Sequence, residues 1–221
     1  MNHPDTLDLQ TLVGLAGWSR LPLAVRRRFG PGHPDTTYTG HLDLQCSKAG
    51  RCFAGLAGLF GAPLAATCAQ AVPAHVRVHP YGRGGVVWER RLALPGRDRV
   101  VRSTKQRGPG GTVIERTDGG LSMLLDVFEE DRALVFRSRS FHLALGRWRI
   151  PVPAWLTPGV CRVEHRDLGD GRFRFTLEMR HPWWGRTFHQ AGVFDDPCPQ
   201  GGPASSPHFT ADPVLPLETL A

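Results

Sequence analysis

Strict alternation of apolar and polar positions begins at Thr37. Tyr38, Gly40, Leu42, Leu44 and Cys46 fall on one face, and Thr37, Thr39, His41, Asp43 and Gln45 on the other. Period two marks a strand with one buried face. The pattern returns over 75–80, 86–94, 99–107, 112–117, 121–129, 132–143, 159–167, 172–181 and 186–194. It is clearest where Phe173, Phe175, Leu177 and Met179 alternate with Arg174, Thr176, Glu178 and Arg180. Turn chemistry separates these runs, as in Gly108-Pro109-Gly110-Gly111, Asp118-Gly119-Gly120 and Leu168-Gly169-Asp170-Gly171. Short connections make consecutive strands antiparallel neighbours. The fold class predicted is therefore mainly β (α+β), a long antiparallel meander. About nine or ten strands in one meander do not stay flat, so a barrel or half-barrel wrapped around a helix is expected.

Helical spacing appears only at the edges of this pattern. Residues 1–36 form a helical lead-in. Leu9, Leu12, Val13 and Leu15 recur at helical spacing after a cap at Asp5 or Thr6. A second short helix runs from Leu21 to Phe29 with Pro22 in its first turn, and Gly30-Pro31-Gly32 stops it. One helix after the first strand is expected over 51–60, carried by Phe53, Leu56, Leu59 and Phe60. Residues 144–158 interrupt the meander with Trp148, Pro151, Pro153, Trp155 and Pro158. An irregular crossing loop is expected there, serving as a lid at one mouth of the sheet. The β domain spans 37–194, and residues 195–221 read as a Pro/Gly/Ser-rich, poorly ordered tail.

Composition narrows the function classes. A chain of 221 residues, 41% hydrophobic and 21% charged, buries a core without staples. The net charge of +7 is almost all arginine, since Lys48 and Lys105 are the only lysines. Arginines alternate with apolar residues along strands, and only Arg26-Arg27-Arg28 forms a run, so a nucleic-acid surface is not expected. The odd number of cysteines, with no C-x-x-C, points to neither a disulfide framework nor zinc. Residues 1–20 lack a basic start followed by an apolar run, and no stretch approaches the ~20 apolar residues of a membrane span. A cytoplasmic protein is expected.

Several stretches resemble the bacterial domain-of-unknown-function 4166 family. They are 58–63 (Gly-Leu-Phe-Gly-Ala-Pro), Trp88-Glu89-Arg90, Ile114-Glu115-Arg116, 146–153 (Gly-Arg-Trp-Arg-Ile-Pro-Val-Pro), 171–175 and Pro182-Trp183-Trp184-Gly185-Arg186. The resemblance runs from Tyr38 to about Phe194. It implies little chemistry, because the family's activity is not established. It does imply a partner, since family members are often joined to dehydrogenase-like dinucleotide-binding domains. This chain lacks a G-x-G-x-x-G after a strand, so it resembles the appended domain standing alone.

The side chains offer few catalytic signatures. The chain has 10 histidines but no H-E-x-x-H or H-x-H, and there is no G-x-S-x-G. Cys161 and His165 share a strand face, but positions i and i+4 on a strand stand about 13 Å apart, too far for proton transfer. No metal or cofactor is predicted. Glu115 is the notable acid, near Arg90, Arg102 or Arg116 in a local meander. A strand-surface ion pair is the plain alternative for it. The aromatics carry the strongest hint. If the sheet curls, several of Trp88, Phe136, Phe141, Trp148, Trp155, Phe173 and Phe175 line its concave face, and the ligand contacts expected are Trp88, Phe136, Trp148, Phe173 and Phe175 with Arg90, Arg102 and Glu115. Such a lining suits a small hydrophobic ligand with an anionic head. Aromatics filling a closed core is the rival reading. The expectation is a non-catalytic binding or accessory domain. The alternatives are an enzyme using Glu115 with Arg90 or a histidine, and a module that docks on a separate oxidoreductase.

Overall fold

The computed structural model describes residues 6–31, 35–58, 66–82, 84–94, 96–145 and 148–197. Leu59 and Phe60, expected to end a helix, and the tail from 198 lie outside the described residues. The strands are β1 (Thr36–Cys46), β2 (Ala69–Tyr81), β3 (Gly85–Leu94), β4 (Arg97–Arg107), β5 (Val113–Thr117), β6 (Leu121–Glu130), β7 (Ala133–Leu145), β8 (Trp148–Val152), β9 (Val160–Gly169), β10 (Arg172–His181) and β11 (Gly185–Asp195). Ten of them close a ring, β1-β2-β3-β4-β5-β6-β7-β9-β10-β11 and back to β1, with every pairing antiparallel. The expected meander is thus a closed barrel with one extra strand.

Closure depends on the contact between β1 and β11, the one long-range pairing of the meander's ends. Here the backbones approach so closely that only glycine fits. A β-carbon on Gly40 would lie 2.2 Å from the Val193 carbonyl oxygen, and one on Gly192 would lie 2.1 Å from that of His41. Glycines at such points let a sheet bend sharply enough to close.

β7 has a split edge. Leu134–Arg137 pair with β9, whereas Phe141–Leu145 pair with β8. Residues 144–158, expected as an irregular loop, therefore contain a strand and then a 3-10 turn at Ala154–Leu156. Pro151 disguised the strand. A proline is tolerated because, among the described residues, β8 pairs with β7 alone and leaves its other edge free of a ladder.

The lead-in is three short helices, α1 (Leu9–Val13), α2 (Leu15–Arg20) and α3 (Leu23–Phe29). Asp8, not Asp5 or Thr6, caps α1 by accepting the Thr11 N–H at 3.2 Å. Gly14 at φ 79° breaks α1 from α2, and Pro22 starts α3. These helices stopper one end of the barrel, where the β2–β3, β6–β7 and β9–β10 turns lie. The Leu7 N–H donates to the Gly84 carbonyl at 2.7 Å, Arg20 pairs with Glu129 at 2.5 Å, and Arg28 pairs with Asp196 at 2.7 Å. The ordered chain therefore runs past 194. β11 extends to Asp195, and Asp196 is buried against α3. α3 also sinks Val25 and Phe29 into the core, and each such side chain stabilises by about 1.5–3 kcal/mol.

The opposite end carries α4 (Lys48–Gly58), the β5–β6 and β10–β11 turns, β8 and the 3-10 turn. Among the described residues, no helix is long and apolar enough to cross a membrane.

Candidate binding site

Strand parity turns alternate side chains inward, and their position along the strands divides them into two layers. In the layer toward α3, the His165 ring is walled by Phe29, Trp88, Phe136, Phe173 and Phe175, with ring centroids 4.8 to 6.1 Å away. All of these rings are buried. Burial, with Arg28, Lys105 and Arg90 nearby, pushes the His165 pKa well below its ordinary value, so the ring stays neutral. The spaces left here measure about 20 and 30 Å³, room for a water or two. Trp88, Phe136, Phe173 and Phe175, expected as ligand contacts, thus form a packed aromatic floor.

Above that floor lies a buried charged cluster. β5 sets Glu115 directly opposite Lys105 of β4. Glu115 Oε1 accepts from Lys105 Nζ at 2.9 Å and from Ser103 Oγ at 2.7 Å, and Arg90 Nη2 stands 3.9 Å away. Burial alone would raise the Glu115 pKa, but Lys105 and Arg90 outweigh it and hold the carboxyl below its usual range. Burial pulls the Lys105 pKa down against the pull of Glu115. Two cations face one carboxylate, so this cluster holds one basic group more than it has acids. Lys105 Nζ also sits 4.7 Å from the Trp88 ring, which shares its charge. Glu115 is therefore an interior anchor rather than half of a strand-surface pair.

Arg102 is not part of this cluster. Its neighbours in sequence, Val101 and Ser103, face inward, so Arg102 faces out and pairs with Glu89 at 2.6 Å, with its side chain 51% exposed. Trp148 lies on β8, 65% exposed, outside the barrel. Sequence reasoning missed Lys105 and Ser103. Their signal was parity, since positions 101, 103 and 105 share one face.

The cluster borders a cavity of about 80 Å³ toward the α4 end. Arg90, Ser103 and Glu115 line its polar side, and Leu92, Met123 and Met179 its apolar side. Arg90 is the cation most open to this space, with 15% of its side chain exposed against 8% for Lys105. Leu121, Phe141 and Pro158 form a thin wall. Beyond that wall lies an apolar groove of about 300 Å³ between α4 and β8, lined by Phe53, Leu56, Ile150 and Leu156. A wider cleft of about 900 Å³ opens where β7 parts from β9, lined by Ser138, Val160, Arg180 and His181.

The arrangement offers anion recognition at depth and apolar contact toward the surface. It does not offer a thiol nucleophile, because burial pushes Cys161 up to about 12, leaving it protonated.

No curated protein is similar enough to this chain to be matched. The family model described as a domain of unknown function, DUF4166, matches residues 21–194. That span begins two residues before α3 and therefore includes the last of the three stopper helices along with all eleven strands but the last residue of β11. The match covers well over half of the chain, and the chain belongs to the DUF4166 family.

Proposed function

We propose that the protein binds a small hydrophobic anion, with its acidic head against Arg90 and its tail directed past Phe141 toward the α4 groove. The observation that carries this reading is the unbalanced charge of the Arg90–Lys105–Glu115 cluster at the blind end of a cavity. A buried cation without its own counter-ion is costly, and a carboxylate or phosphate completes its hydrogen bonding in a medium where such bonds are strong. The rest of the cavity and the groove beyond it are largely apolar, which suits a hydrocarbon tail.

Binding is favoured over catalysis by the state of Glu115. A general base works best with a pKa near the operating pH. Glu115 is held ionised by Lys105 and Ser103, with both contacts on the same oxygen. That is the role of a positioning anion, which fixes Lys105 and leaves Arg90 the freer of the two cations.

The test is native mass spectrometry of freshly purified protein, followed by solvent extraction. The expected result is a bound acidic amphiphile, absent from Arg90→Met purified in the same way. Wild-type protein that carries no ligand, and takes up none from a mixture of medium-chain carboxylates and phosphate monoesters, would overturn the reading.

A further inference from the structure

Four of the 6 tryptophans stand exposed, and all four lie in segments at the α4 end: Trp148, Trp155, Trp183 and Trp184. Trp18 and Trp88 are buried. The contacts that join these segments run through His181. Its ring stacks on Phe53 of α4 at 5.5 Å and meets Trp183 and Trp184 of the β10–β11 turn at 5.6 and 6.4 Å. The same turn shares the wide cleft with residues 152–160, and α4 shares the apolar groove with β8 and the 3-10 turn. Leu56, Ile150 and Leu156, which line the apolar groove, are exposed at the same end.

The charge of this face is one-sided. Segments 48–58, 148–159 and 179–188 contain Lys48, Arg51, Arg149, Arg180 and Arg186 and not one Asp or Glu. Across the whole chain, 27 cations meet 20 acids, so a surplus this complete is a local property of the end. The acid nearest these segments is Glu178, which accepts from Arg180 at 3.1 Å. Arg186 donates to Gln45 at 3.1 Å, a neutral partner that leaves its charge uncompensated. Two further acids at this end, Asp98 and Asp118, belong to strand β4 and the β5–β6 turn, on the far side of the ring from β9, β10 and β11.

We propose that the α4 end is a docking surface for an anionic lipid bilayer, with Trp155, Trp183 and Trp184 seated at the headgroup level and the five cations on the lipid phosphates. Indoles with one apolar body and one N–H partition to that level. Basic residues beside them draw the surface to anionic lipid, and neither signal alone holds a protein there stably. Single-stranded nucleic acid also stacks on exposed aromatics among arginines. Exposed Leu56, Ile150 and Leu156 favour the bilayer, since aliphatic side chains give bases no stacking platform. The surface is separate from the buried cluster, so it stands or falls independently of the cavity's ligand.

The experiment is sedimentation of the full chain with vesicles of phosphatidylcholine alone, or of phosphatidylcholine with phosphatidylglycerol, together with quenching of tryptophan emission by brominated lipid. The expected result is binding to the phosphatidylglycerol vesicles with quenching, weakened by salt and weakened about tenfold or more in Trp183→Ala/Trp184→Ala. Those two side chains are 74% and 60% exposed, so the variant should keep the wild-type melting temperature. Arg149→Glu/Arg186→Glu should lose binding while keeping the fold. Arg90→Met, which disturbs the cavity, should sediment as the wild type does. Three results would overturn the proposal: no vesicle binding, equal binding to pure phosphatidylcholine, or capture of a single-stranded oligonucleotide in preference to vesicles.

Discussion

At the α3 end, the barrel interior is a filled aromatic layer in which His165 sits among five rings and the residual spaces hold a water or two. At the α4 end, the same strands enclose an 80 Å³ cavity walled from an outer groove by three side chains. The change occurs within single strands. On β3, Trp88 belongs to the packed layer, Arg90 to the boundary and Leu92 to the cavity. On β10, Phe173 and Phe175 give way to Leu177 and Met179. Large rings fill one layer, and slimmer side chains leave room in the next. The filled layer also meets the charged groups above it, since Lys105 and Arg90 both lie over the Trp88 ring.

The largest expected effect comes at the boundary itself. Glu115→Leu leaves Lys105 and Arg90 buried together without an anion and should cost about 3–5 kcal/mol in urea denaturation. A loss near zero would mean that the cluster is solvated and that the boundary is not a boundary.

Paired truncations sharpen the contrast between layers. Phe136→Ala opens a hole in the filled layer and should cost about 3–5 kcal/mol. Phe141→Ala removes a wall between two existing spaces, so part of its burial is already missing and its cost should be smaller. The comparison is the shift in urea midpoint. Equal losses would show that the two layers are packed alike.

A smaller effect follows from His165. Its folded pKa is held well below the ordinary 6.5, so the unfolded chain takes up the proton first as pH falls. Stability that is fully present above pH 6.5 should therefore decline below it. Glu115 adds to the decline at lower pH, because a carboxyl with a depressed folded pKa contributes above its unfolded value of 4.5 and loses that contribution as pH falls further. His165→Leu should flatten the first part of the curve and leave the second. A wild-type profile already flat between pH 6.5 and 5 would remove the neutral, buried imidazole from the account.

The meander was legible because period-two alternation reports on one strand at a time and turn residues mark where each strand ends. Ring closure was not, because it rests on β1 meeting β11 through Gly40 and Gly192, a contact between residues far apart in the chain. The buried cluster was legible in part. The nearness of Glu115 to Arg90 was legible because consecutive antiparallel strands bring the two positions together. Arg102 was added for its nearness along the chain, although its parity turns it outward, and Lys105 was passed over although its parity turns it in. Trp148 failed for another reason. β8 is short, interrupted by Pro151 and paired on one edge only, so alternation there could not say which face is buried. The basic, tryptophan-rich face was invisible because its three segments come together only in the fold.

The central claim is that an unbalanced cation at the floor of the α4-end cavity recognises an anion. Displacement of a fluorescent fatty acid by decanoate, titrated against wild type and Arg90→Met, tests it most directly, with Arg102→Ala as the outward-facing control. Glu115 keeps Lys105 in the Arg90 variant, so the fold should survive. The account predicts saturable binding that weakens roughly tenfold to a hundredfold in Arg90→Met, the worth of one charge-assisted hydrogen bond, and is unchanged in Arg102→Ala. Absence of binding to the wild type, or equal affinity in all three proteins, would contradict it.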